Sequence, residues 1–331
     1  MKHPINFLAA IVLSMGMSLL TGSCNHGKPV PTNMPATNVT VPTFNADSAF
    51  RYVAVQCAFG PRVPGTEAHK SCGNWLAEQL RLFGAEVIEQ ETSAKAWNGD
   101  VLPVRNIIGQ FRSETNKRII LCAHWDTRPW ADNDPAKMNR FSPISGANDG
   151  ASGVGVLLEM ARLFQQQLPA IGVDIIFFDA EDYGVHADVQ TPHTEDSWCL
   201  GSRYWARHPH RQDYMARYGI LLDMVGSPGA RFCQENISKR LAPAIVEKVW
   251  HTAHSMGLGA HFPFEEGSWV TDDHLPINQI AKIPCIDIIP YDEVYGFGEM
   301  WHTLGDDLTW VDINTLNVVG SVLMQVVYNE K

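Results

Sequence analysis

Apolar positions along the chain fall into two kinds of run: stretches repeating every three or four residues, and shorter stretches apolar almost throughout. Residues 118–123 (RIILCA) and 172–179 (GVDIIFFD) are of the second kind and predict buried strands. Between them, 154–164 has helical spacing and follows the Gly-rich bend GANDGASG around Asp149. A strand, a crossover helix and a parallel strand bring both strand ends to one rim of a sheet. His124 and Asp126 follow the first strand, and Glu181 and Asp182 follow the second. These four and Asp149 are therefore expected to meet.

The flanking sequence repeats the alternation. Asn45-Ala-Asp-Ser announces a helix over 50–59, and 66–83 places Trp75, Leu76, Leu80 and Phe83 at helical spacing before Gly84. Residues 86–97 and 104–111 alternate and predict an antiparallel pair at one edge. After Asp182 comes a long stretch to Trp198, containing Gly184, His186, Asp188, Pro192, His193 and Glu195. Irregular connections longer than about 12 residues usually serve as lids or binding loops. A helix at 201–207, a strand at 218–224 carrying Asp223, helices at 241–256 and 273–280, a strand at 283–289 and a closing helix at 313–328 follow. The pattern predicts a single α/β domain over 44–331, with a mixed, mainly parallel central sheet flanked by helices.

Composition narrows the function classes. The chain has 331 residues, 45% hydrophobic, and a formal charge of -11, which argues against nucleic acid as a partner. Lys2 and His3, the apolar run 7–20 and Thr21-Gly22-Ser23-Cys24 read as a targeting segment over 1–23. Its ending in Cys resembles a bacterial lipoprotein signal, with lipidated Cys24 as the membrane anchor; an ordinary secretory peptide is the alternative. Residues 24–43, rich in Pro, Thr and Asn, read as a flexible tether. No acidic cluster follows Cys24, so the expectation is a periplasm-facing protein of the bacterial envelope, and a monomer. Setting Cys24 aside leaves six of the seven cysteines, without the spacing of a thiolate zinc site. Cys57 with Cys72 is one candidate disulfide, and buried free thiols are the other reading.

Several residues carry candidate chemistry. Asp149 either caps the following helix or brings a carboxylate to an ion from a Gly-rich bend. His124 and Asp126 share one face of a strand end, as metal ligands or as satisfied core groups. Adjacent Glu181 and Asp182 repel one another unless a cation or proton relieves them, or unless the loop is solvated. Catalytic zinc takes three N/O ligands and keeps one position open. The candidates are Asp149, Asp182, His302, His124 and Asp223. His69, His208, His210, His251, His254 and His261 read as surface or structural; His274, next to the Asp272-Asp273 pair, is left open.

AHWDT, GANDGASG, FFDAED, LLDMVG and WHT together, in this order, resemble the zinc aminopeptidase superfamily. LGSR at 200–203, DDHLP at 272–276, and Phe297 with Trp301-His302-Thr303 are similar to its glutaminyl-peptide cyclotransferase branch, glutaminyl cyclases of the animal-like type. That resemblance implies one zinc held by Asp149, Asp182 and His302, with Glu181 as general acid/base. It implies Asp223 and Asp272 as a supporting carboxylate pair, and Phe297 and Trp301 as pocket walls. The substrates implied are peptides or proteins with N-terminal glutamine. Asp182 stands where the family more often has Glu, one methylene longer, so the backbone must approach the metal more closely. Trp198 belongs either to the pocket or to the core. The alternative is a two-zinc aminopeptidase, with His124, Asp223 and a bridging Asp149 forming a second metal site. A non-catalytic envelope binding protein predicts eroded ligands, and none is eroded.

Overall fold

The computed structural model describes residues 40–190, 195–292 and 296–331. The targeting segment, Cys24 and most of the tether lie outside the described residues, as do Pro192 and His193.

A six-stranded sheet, ordered β1-β2-β4-β3-β5-β6, organises the molecule. β1 (Glu86–Lys95) and β2 (Val101–Phe111) form an antiparallel hairpin around Gly99, whose φ of 94° needs no Cβ to avoid. β2 pairs antiparallel with β4 (Gly172–Phe178). From β4 onward β3 (Arg118–His124), β5 (Gly219–Leu222) and β6 (Cys285–Ile288) all run parallel. The expected mixed, mainly parallel sheet is therefore present, and its antiparallel part sits at one edge.

β3 and β4 are buried along their whole length because helices cover both faces. Ile119, Leu121 and Ala123 of β3 join a large core beneath α1 (Ala46–Ala58), α3 (Ala151–Gln166) and α8 (Ile313–Asn329). The alternate residues Ile120 and Cys122 pack on the opposite face with Trp205 of α4 (Leu200–Arg207) and Ile277 of α7 (His274–Gln279). α2 (Glu67–Leu82) is capped by Thr66, whose side chain accepts from the His69 N–H. Phe44 is buried and Val41 packs on the core, so the final tether residues already belong to the folded unit.

Three local expectations are corrected. β2 begins at Val101, three residues before the alternation becomes regular, because pairing with Lys95 extends the hairpin. The helix expected over 241–256 is α6 (Pro243–Ser255), starting two residues later, and a separate short helix that was not expected, α5 (Asn236–Leu241), precedes it across a break at Ala242 (φ -138°, ψ 47°). Pro243 clashes with a helical residue before it, which forces the break. β5 is only four residues long, so Asp223 lies just beyond it rather than within it. Cys57 and Cys72 carry free thiols and are not paired.

Candidate active site

The carboxyl ends of β3, β4 and β5 open on one rim, where strand order reverses about β3. His124 ends β3, Asp179 to Asp182 follow β4, and Asp223 follows β5. Loops bearing Asp149, Asp272 and His302 close over them. Four non-glycine residues around this rim take left-handed backbone: Ala180 (φ 52°), Cys199 (φ 58°), Met224 (φ 50°) and His302 (φ 56°). Such backbone persists where the surroundings impose it, and it gathers at functional sites. Gly150 (φ 92°) serves the same crowding, since a Cβ there would meet the Asp126 carbonyl oxygen at 2.8 Å and the His124 ring at 2.9 Å.

The expected convergence of His124, Asp126, Asp149, Glu181 and Asp182 is observed, with one difference in role. Asp126 faces the backbone: its two oxygens accept the N–H groups of Glu181 (3.1 Å) and Asp182 (3.3 Å). It thus pins the turn that follows Ala180 and draws the shorter Asp182 inward. Asp149 does not cap α3, whose N-cap is Gly150 with no side-chain cap bond.

Ligand atoms of Asp149, Asp182 and His302 lie within 4.8 Å of one another, all buried. His302 Nε2 is 3.2 Å from Asp182 Oδ1 and 3.7 Å from Asp149 Oδ2. Its Nδ1 faces Asp132 Oδ1 at 3.4 Å, the carboxylate contact that orients metal-bound imidazoles. Asp182 Oδ2 is buried without a hydrogen-bond partner. Two carboxylates and one oriented imidazole, with a buried oxygen left over, fit zinc with an open position. Burial alone would lower the His302 pKa, but Asp182 and Asp132 outweigh it and raise it. His124, Asp149 and Asp223 make a second such cluster, with His124 Nε2 at 3.0 Å from Asp149 and 3.1 Å from Asp223.

Glu181 is buried, 7% exposed, on the wall of the site. Burial, reinforced by the Asp272 carboxylate, pushes its pKa well above the usual carboxylate range. Burial and then Asp223 raise Asp272 to about 7. Burial raises Asp223 as well, against the opposing pull of His124.

A cavity of about 240 Å³ opens on these residues, lined by Trp198, Phe297 and Trp301 as well as by Asp149, Glu181 and His302. Trp301 lies 3.9 Å from the His302 ring by centroid and 4.8 Å from Phe297. Trp198, half-buried, lies parallel to the His302 ring at 6.3 Å, so it lines the pocket rather than the core. Gly184 makes room for it: a Cβ there would fall 2.0 Å from the indole.

Four contributors were not found in the sequence. Buried Arg128 grips Asp132, contacts Asp182 Oδ1 at 3.4 Å, donates to the Asp182 carbonyl at 3.0 Å, and lies 4.8 Å from the Trp198 ring. Asp132 braces His302. Asp306 accepts the N–H groups of Asn148 and Asp149, holding the bend; burial and then Asp149 raise it to about 7. Trp269, 62% exposed, stands at the pocket mouth. His69 is structural, bonded to Asp179 and stacked on Trp125. His274 is buried between Glu235 at 3.2 Å and Asp287 at 3.8 Å and belongs to none of the donor clusters among the described residues.

Residues 106–327 match the model for peptidase family M28. The crystal structure of Bacteroides thetaiotaomicron glutaminyl cyclase bound to N-acetylhistamine is 54% identical, with a TM-score of 0.88, covering 88% of this chain and 100% of that one. A Zn-dependent exopeptidase from Parabacteroides distasonis ATCC 8503 is 51% identical, TM-score 0.86, with the same coverage of 88% and 100%. The glutaminyl-peptide cyclotransferase of Bos taurus is 23% identical over 292 residues, 79% of this chain and 76% of that protein.

Proposed function

The chain belongs to peptidase family M28, and on that premise we propose that it is a glutaminyl cyclase, closing N-terminal glutamine of peptides or proteins to pyroglutamate and ammonia. The cavity carries this reading. At about 240 Å³ it is smaller than the roughly 300–1,000 Å³ of sites for drug-sized ligands, and it suits the end of one residue folded on itself. Its wall is aromatic on Trp198, Phe297 and Trp301, which suits an uncharged terminus. Identity of 54% to a glutaminyl cyclase over that chain's full length supports the same reading.

Asp149, Asp182 and His302 would hold zinc, which supplies a Lewis acid that polarises the side-chain amide carbonyl of the substrate. Ring closure is intramolecular, so much of the acceleration comes from posing the glutamine, which falls to the aromatic wall. As the α-amine nitrogen bonds to the side-chain Cδ, Glu181 takes a proton from it. As the bond from Cδ to the amide nitrogen breaks, Glu181 returns that proton and ammonia leaves. A carboxyl raised by burial suits this exchange at neutral pH. Burial, and then the Asp272 carboxylate beside it, keep Glu181 in that range.

Incubating the protein with a Gln-peptide and measuring the product mass tests the proposal. Loss of one ammonia is expected, whereas loss of a whole residue overturns it in favour of a two-zinc aminopeptidase. That second reading is favoured by the His124, Asp149 and Asp223 cluster, and it requires two zinc ions per chain. Trp301→Ala is expected to raise KM roughly tenfold, since a buried aromatic contact is worth about that factor. Zinc should stay bound; metal lost with KM unchanged would contradict the role of Trp301 as a wall. The N-terminal sequence supports an envelope protein anchored by lipidated Cys24 and facing the periplasm. Exported polypeptides with freshly exposed glutamine would then be its substrates.

A further inference from the structure

Cys199 occupies left-handed backbone (φ 58°, ψ 38°) at the start of α4, where glycine or asparagine would be the unstrained choice. A side chain kept there against that cost has something to hold. The segment is clamped to the turn after β4 by three successive bonds. Cys199 N–H donates to the Glu181 carbonyl at 2.9 Å, Leu200 N–H to Ala180 at 3.0 Å, and Gly201 N–H to Asp179 at 3.0 Å. The Cys199 carbonyl accepts from the Arg203 N–H at 2.9 Å, fixing the other side of the residue. With the backbone set this way, Cys199 Sγ lies 3.4 Å from Glu181 Oε1, within sulfur's longer hydrogen-bond reach. Among the described residues it is the only hydrogen-bond donor to the Glu181 carboxylate. Asp272 completes a close triplet with Glu181 and Cys199, their nearest atoms all within 4.8 Å of one another.

We propose that Cys199 is a positioning residue whose thiol donates a hydrogen bond to Oε1 of Glu181, fixing the carboxyl and leaving Oε2 for the substrate's proton. This rests on the acid/base role of Glu181 given above. Without the thiol, Glu181 has no side-chain anchor, and repulsion from Asp272 is free to turn it away. The thiol is suited to the task because burial, and then Glu181 itself, keep it protonated. It acts as a donor and is not itself a nucleophile.

Cys199→Gly and Cys199→Ser separate this role from simple packing. Glycine accepts the left-handed backbone without cost but removes the donor, whereas serine keeps a donor. Cys199→Gly is expected to lower kcat about tenfold, the scale of one hydrogen bond to a charged group, with KM and zinc content unchanged. Cys199→Ser is expected to keep kcat within about threefold of the parent. Parental kcat in Cys199→Gly overturns the proposal, and so does an equal loss in both variants. Should Cys199→Gly not fold, Cys199→Ala removes the donor at cysteine's own backbone cost and is read the same way. If the parent protein frees amino acids instead of ammonia, the cyclase reading fails separately. The variants are then scored on that hydrolysis, where Glu181 handles the attacking water's proton.

Discussion

Glu181→Gln is expected to reduce turnover of an N-terminal-glutamine peptide by roughly 10²–10⁴-fold, the usual contribution of a positioned general acid or base. The substitution is nearly isosteric, so the turn pinned by Asp126 and the contacts to Cys199 should persist. Glutamine cannot accept the amine proton or return one to the departing nitrogen. Substrate binding and zinc content should therefore stay near parental values while kcat collapses. The raised pKa of Glu181, set first by burial, has nothing to act on once the carboxyl is gone, and this loss is one of mechanism and not of folding. Preserved turnover in Glu181→Gln, with correct folding shown by an unchanged melting temperature, would remove Glu181 from the chemistry.

His302→Ala should have an effect of a different kind. The imidazole faces Asp182 at 3.2 Å through Nε2 and is braced by Asp132 through Nδ1. Removing it takes one of three donors from the proposed zinc site and leaves two buried carboxylates facing each other. Losing only the group behind a metal ligand typically costs about 10–100-fold in metal affinity or activity. Losing a ligand should cost more, so the purified variant should contain little zinc and should not recover activity at stoichiometric metal. A full zinc complement, measured by elemental analysis, would refute His302 as a ligand. The two variants distinguish the roles: Glu181→Gln keeps the metal and loses turnover, and His302→Ala loses both.

Much of this site was legible in the chain, for a definite reason. β3 and β4 are covered on both faces, so they read as unbroken apolar runs, and the polar residues that end them stand out sharply. Asp149 announced itself through its glycines, whereas His302 was placed by the resemblance that Trp301-His302-Thr303 carries. Arg128, Asp132, Asp306 and Cys199 were not legible because they work on backbone amides, on carbonyls and on other side chains. Their partners, such as Asp132 to His302, lie far apart in sequence, and no spacing encodes that. β5 is short because only Gly219 to Leu222 pair with their neighbours, while the apolar run extends past them.

Arg128 ties together two properties that an enzyme designer would prefer to adjust one at a time. Its guanidinium secures Asp132 behind His302, steadies Asp182, and lies against the Trp198 indole. Retention of the proposed zinc and breadth of the substrates accepted would consequently be inherited as a pair. A drifting lineage that loosens one through this arginine loosens the other in the same step. Paths toward new substrate preference would run more freely through Trp269 at the mouth, which carries no such double duty.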